Sequence, residues 1–118
     1  MIYRYRTPWI VRKWYRSFEW SIPSDNSIYL TFDDGPHPYI TPWVLDKLSK
    51  YDANATFFSL GKQIIKHPRL IEETITSGHA IGNHTYNHVR GWNTNSVDYL
   101  NEVEKCDLEH IICVAQFH

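Results

Sequence analysis

Between residues 27 and 32 apolar and polar side chains alternate, so that Ile28, Leu30 and Phe32 fall on one face. That period of two predicts a β-strand. Asp33 and Asp34 follow at its C-terminal end, and Gly35-Pro36 turns the chain away. Thr41 then reads as a helix N-cap, with Pro42 at the first helical position and Ile40 stapled onto Leu45. Val44, Leu45 and Leu48 form the buried stripe of this helix, and Asp46, Lys47 and Lys50 its wet side, up to Tyr51-Asp52. Residues 56–60 are rich in aromatic and β-branched side chains and predict a second strand, with Gly61 as its stop. Ile64 and Ile65 sit in a short helix that Pro68 interrupts. Leu70, Ile71, Thr74 and Ile75 continue an apolar face as far as Gly78, the expected C′ residue. Residues 79–82 predict a brief third strand that starts at His79, a structural residue. Asn95 or Ser96 caps a last helix whose Val97, Leu100 and Val103 point inward.

Strands that alternate with helices predict an α/β fold with a parallel sheet and right-handed crossovers. All three strand ends then deliver polar residues to one rim, where barrel enzymes keep their chemistry. At 118 residues the chain is at most one domain, well short of the roughly 250 residues of a complete (β/α) barrel. A net charge of −1 gives no argument for nucleic acid, and no apolar run is long enough for a spanning helix. Cys106 and Cys113 are too few and too close for a disulfide framework and read as buried thiols on one helix face.

The chemistry concentrates in two places. Adjacent side chains at a strand end point to opposite sides, so Asp33 and Asp34 can take different jobs. His84 and His88 stand at i and i+4, one above the other if the segment is a helical turn, with Cβ atoms about 5–6 Å apart. Zinc–nitrogen bonds of about 2.0–2.1 Å in a tetrahedral arrangement bring ligating atoms within roughly 3.5 Å of one another, a distance one turn permits. Two imidazoles and one carboxylate leave a coordination position open, as in catalytic zinc sites, where bound water can reach a pKa of about 7.

The blocks Thr31-Phe32-Asp33-Asp34-Gly35-Pro36, Ala55-Thr56-Phe57-Phe58 and Gly78-His79-Ala80-Ile81-Gly82-Asn83-His84-Thr85-Tyr86-Asn87-His88 resemble, in order and at natural spacing, the first half of the NodB-type polysaccharide deacetylases, carbohydrate esterase family 4. The resemblance implies the first half of an irregular (β/α) barrel. It makes Asp33 the catalytic base and Asp34, His84 and His88 the ligands of a divalent metal, usually zinc. The implied reaction is hydrolysis of the N-acetyl group of an N-acetylhexosamine in a polymer such as chitin or peptidoglycan, or in a lipid-linked sugar. A cation beside a carboxylate favours its ionised form, which suits a base at position 33. The family's later blocks, including the one that carries its general acid, have no counterpart here. His110 and His118 are read as bystanders, so no general acid is assigned. Residues 27–107 are thus expected to be a partial deacetylase domain and 108–118 a tail unlike the family, as in a gene fragment, a frameshifted product or an incomplete domain of reduced or no activity.

Two features add to this picture. Trp92, in the polar loop after the histidines with Tyr86 and Arg90, is either a sugar-stacking contact or an aromatic folded onto its own core. Residues 1–26 form a basic aromatic arm: Arg4, Arg6, Arg12, Lys13 and Arg16 precede the first acid, Glu19. Trp9, Ile10, Trp14 and Phe18 interleave with them, as in a helix lying on an anionic membrane surface, or else they pack across the first strand or the barrel's bottom. Charges interrupt any secretory apolar core, so the default compartment is the cytoplasm, with the cell envelope open to a relative of this family. A non-catalytic metal- and glycan-binding module is the alternative to an enzyme. Oligomeric state is left open.

Overall fold

The computed structural model describes residues 7–21 and 26–117. Strand β1 (Leu30–Asp33), helix α2 (Ile40–Lys50), strand β2 (Ala55–Ser59), helices α3 (Gly61–Lys66) and α4 (Pro68–Thr76), strand β3 (Ala80–Asn83) and helix α5 (Ser96–Ala115) follow the short helix α1 (Trp9–Trp14). The three strands form a parallel sheet in the order β1-β2-β3, the α/β alternation expected from the sequence. Among the described residues, β1 and β3 are its two margins, each paired on one side only.

Phe32, Phe57 and Ile81 lie in one row across the sheet. They pack with Val44, Leu45 and Leu48 of α2, the predicted stripe. Each of those three helix side chains is buried, worth about 1.5–3 kcal/mol apiece, and the Phe32 and Phe57 rings stack at 5.1 Å. A second cluster joins Ile64 and Ile71 to Cys106 and Cys113. Both thiols are free and buried on one face of α5, as expected.

Several boundaries differ for identifiable reasons. The first strand begins at Leu30, which pairs with the first residue of β2; Ile28 has no partner opposite it and is 84% exposed. Helix α2 begins at Ile40, so Thr41 is its second residue rather than its cap, and Ile40 is exposed rather than a staple. The helix start is held by His37 instead. Its Nδ1 accepts the N–H groups of Tyr39 and Ile40, both at 3.3 Å, while the Thr41 hydroxyl accepts the His37 N–H at 2.8 Å. Leu60 and Gly61 belong to the start of α3, not to the end of β2. Gly61 is required by proximity: a Cβ there would lie 2.5 Å from Tyr86 Cδ2 and 3.2 Å from Cys106 Cα. Pro68 separates α3 from α4 as expected, and Gly78 (φ 84°) closes α4 in a Schellman arrangement, with Gly78 N–H on Ile75 O and His79 N–H on Thr74 O.

The last helix corrects the expectation most. Asn95 caps it by accepting the Asp98 N–H, and it runs unbroken through position 107 to Ala115. Its docked seam is Tyr99, Val103, Cys106, His110 and Cys113, at three- and four-residue steps. Val97 and Leu100 lie on the opposite side, 68% and 58% exposed, and only Val103 of the three predicted residues faces inward.

In the arm, no residue of α1 is buried. Tyr15 stacks on Phe18, and the Trp20 Nε1–H donates to the Tyr15 carbonyl. Arg4 and Arg6 of the arm, and His118, lie outside the described residues. No described helix is long and apolar enough to cross a membrane.

Candidate metal centre

Asp33 is the last residue of β1, held opposite Phe58 in the ladder. Asp34 is the first residue beyond it and takes a left-handed backbone, φ 72°, which Asp tolerates better than most residues. The carbonyl of Gly35 accepts the Leu60 N–H at 3.0 Å, tying this turn to the end of β2.

The two histidines do not share a helical turn. They lie at the ends of an irregular loop after β3, in which Thr85 and His88 themselves have φ of 64° and 65°. A β-branched residue in that region costs about 1–2 kcal/mol, so the surroundings must hold it. They do so from three directions. The Thr85 N–H donates to the Asn83 side-chain oxygen at 2.8 Å, and its hydroxyl accepts the Val89 N–H. The carbonyls of Thr85 and Tyr86 accept the N–H groups of Gly61 and Lys62, two of the donors that the first turn of α3 leaves without an intrahelical partner. From α5, Asn83 Nδ2 reaches Val103 O and Asp107 Oδ1, and the Glu102 carbonyl accepts the Tyr86 N–H.

The result is convergence. His84 Nε2 and His88 Nε2 each lie 3.2 Å from the same atom, Asp34 Oδ1, and one ligand atom from each of the three residues lies within 4.8 Å of the others. The two 3.2 Å separations are close to the roughly 3.5 Å between ligand atoms of a tetrahedral zinc ion, so the donor set fits a divalent cation. The group opens to solvent: Asp34, His88 and His84 side chains are 63%, 56% and 29% exposed. Three protein ligands with an accessible fourth side suit a cation that must also meet a substrate.

Asp33 stands outside that trio and lines a depression with Phe32, Asp34, Gly35, His37 and Thr41. Trp92 lies on the 3-10 turn Gly91–Asn93 and is 91% exposed, which rules out packing onto its own core. His79 is buried against Phe57 at the far end of β3, a structural residue as expected. Cys106 lies beneath the histidine loop with its thiol on Ser59 O at 3.4 Å; burial pushes the thiol's pKa up, so it stays a neutral core residue. The bracing residues Asn83, Asn87, Glu102 and Asp107 went unassigned in the sequence. Only the polar Asn83 at a strand end offered a local signal.

Residues 21–110 match the family model for polysaccharide deacetylase, and the chain belongs to that family. It is 42% identical over 85 residues to a peptidoglycan-N-acetylglucosamine deacetylase of Bacillus cereus, spanning 71% of this chain and 40% of that protein. It is 43% identical over 91 residues to the chitooligosaccharide deacetylase of Azorhizobium caulinodans, covering 75% and 43% of the two. A family 4 acetyl xylan esterase from Clostridium thermocellum, solved with a cobalt ion, superposes with a TM-score of 0.64 at 36% identity, over 70% of this chain and 40% of that one. The chain therefore spans about 40% of the length of these relatives, and its open sheet corresponds to part of a (β/α) barrel.

Proposed function

We propose that this chain carries the cation site and the base of a hydrolase that removes acetyl groups from N-acetylhexosamine units of a polysaccharide, chitin- or peptidoglycan-like, or of a lipid-linked sugar. The observation that carries the reading is the single Asp34 oxygen shared by two imidazole nitrogens at 3.2 Å each. Asp34, His84 and His88 would hold a divalent cation, zinc in the first instance. When bound, that ion supplies Lewis acidity toward the acetamide carbonyl and toward water. Asp33, one residue before the ligand and outside the trio, would accept the proton of the attacking water as the C–N bond gives way to acetate and a free amine. Trp92 presents an unpacked ring on which a sugar face can stack. The substrates named for the two deacetylase relatives support an N-acetylglucosamine polymer, and the cobalt ion in the esterase supports a divalent cation.

The purified chain is expected to bind one zinc ion per molecule and to release acetate from an N-acetylglucosamine oligomer. Absence of zinc binding at micromolar ion would overturn the reading. Zinc binding without acetate release, with the oligomer still bound, would instead leave a metal- and glycan-binding module.

A second reading concerns the arm. Trp9, Trp14 and Phe18 are exposed beside Arg12, Lys13 and Arg16, a composition suited to the surface of an anionic bilayer. The chain should float with phosphatidylserine liposomes and lose that property when residues 1–18 are deleted; equal flotation of both would remove the arm from any membrane role.

A further inference from the structure

We infer that Glu102 of α5 is a positioning residue for the cation ligands, a conclusion that rests on the metal-site reading above. Three residues separate His84 from His88, and the last of them, Asn87, is tied to one side chain. Its backbone N–H donates to Glu102 Oε2 at 2.7 Å and its side-chain Nδ2 donates to Glu102 Oε1 at 2.9 Å. The Glu102 backbone carbonyl takes the Tyr86 N–H at 3.1 Å. A residue 15 positions away in sequence thus fixes two consecutive peptides of the loop.

This matters for the ligands because of the backbone they need. His88 directly follows Asn87 and has φ 65°, a conformation uncommon for any residue other than glycine. Bonds to a carboxylate are roughly twice as strong as neutral ones, and here both oxygens of one carboxylate are used, which sets direction as well as distance. Glu102 touches neither the cation position nor a ligand nitrogen, and acts by holding the peptide that aims His88 at Asp34. Outer residues of this kind typically change metal affinity about 10–100-fold when removed.

The pairing can be reversed without changing its shape. Glu102→Ala removes both acceptors, whereas Glu102→Gln alone loses only the charge, because the Asn87 amide can turn over and present its oxygen to the new NH2. In Asn87→Asp two carboxylates face each other. In the double variant the Gln oxygen accepts the N–H of residue 87 and the Gln NH2 donates to the Asp carboxylate, so both bonds return. Zinc affinity would be measured by competition with a chromophoric chelator, and ligand geometry by the visible absorption bands of the cobalt(II)-loaded chain, which a change in fold stability alone does not move. Glu102→Ala and Asn87→Asp are each expected to bind zinc about 10–100-fold more weakly with altered cobalt bands, and Asn87→Asp combined with Glu102→Gln to recover most of both. If either single variant is too unstable to titrate, Glu102→Asp, which keeps the charge one methylene shorter, should show the same loss with the fold intact. Unchanged affinity and cobalt bands in Glu102→Ala and Asn87→Asp, with the wild type binding normally, would overturn the role of Glu102 and leave the cation site standing. Loss without recovery in the double variant would likewise overturn it. A wild type that binds neither ion would overturn the site itself and this inference with it.

Discussion

The two halves of the candidate site are built in opposite ways. Asp33 is placed by the ladder itself and Asp34 by one left-handed residue directly after it, with Leu60 N–H on Gly35 O as the added tie. The histidine loop has no regular structure, and it owes its shape to side chains and helix ends brought from Asn83, α3 and α5. A ligand at a strand end is placed by local chain geometry, whereas a ligand on a loop is only as well placed as the elements around it.

Substitutions should separate these two modes. The largest effects belong to the strand end. Asp34→Asn removes the oxygen common to both imidazoles and should weaken zinc binding by about 100-fold or more. Asp33→Asn should keep zinc and lower turnover by about 10²–10⁴-fold. Metal content and acetate release on the two purified variants check this, and a metal-free Asp33→Asn would break the division of labour.

On the loop side, Gly61→Val would drive a side chain into Tyr86 and the Cys106 backbone. It should cost about 1–3 kcal/mol of stability by overpacking and reduce zinc affinity as well, which urea denaturation and chelator competition would report. An undiminished affinity would mean that α3 does not shape the loop. Lys105→Ala removes an ammonium 3.7 Å from the Tyr86 ring centroid and should cost only about 0.5–1 kcal/mol.

The smallest expected effect concerns pH. His110 is half-buried on the α5 seam, with Nε2 unpartnered, and burial holds its pKa below the ordinary 6.5. The unfolded chain takes up that proton more readily than the folded one, so His110 gives no penalty above about pH 6.5 and destabilises the fold as pH falls below it. Thermal melts from pH 7.5 to 5 should show a shallower decline in His110→Phe than in wild type; parallel declines would remove His110 from the pH response.

Much of this architecture was legible because it is local. The alternation around Leu30 and Phe32, the stripe Val44, Leu45, Leu48, the break at Pro68 and the left-handed Gly78 each depend on residues within one turn or strand. The approach of His84 to His88 comes about on a different backbone: the spacing predicts a helical turn, but left-handed Thr85 and His88 bring the rings to 4.9 Å instead. The apolar pattern points to the wrong face of α5 because its seam is centred on two cysteines and a histidine, while Val97 and Leu100 carry stronger apolar signals away from it. Glu102 and Asp107 were invisible, since a carboxylate on an amphipathic helix looks the same whether it meets water or an asparagine amide.

The sheet has a practical consequence for anyone handling the protein. With β2 alone flanked on both sides among the described residues, the outward N–H and C=O groups of β1 and β3 can be satisfied by solvent or by a strand from a neighbouring molecule. Concentrated preparations should be watched for edge-to-edge stacking, and a lysine introduced at either margin is the simplest remedy.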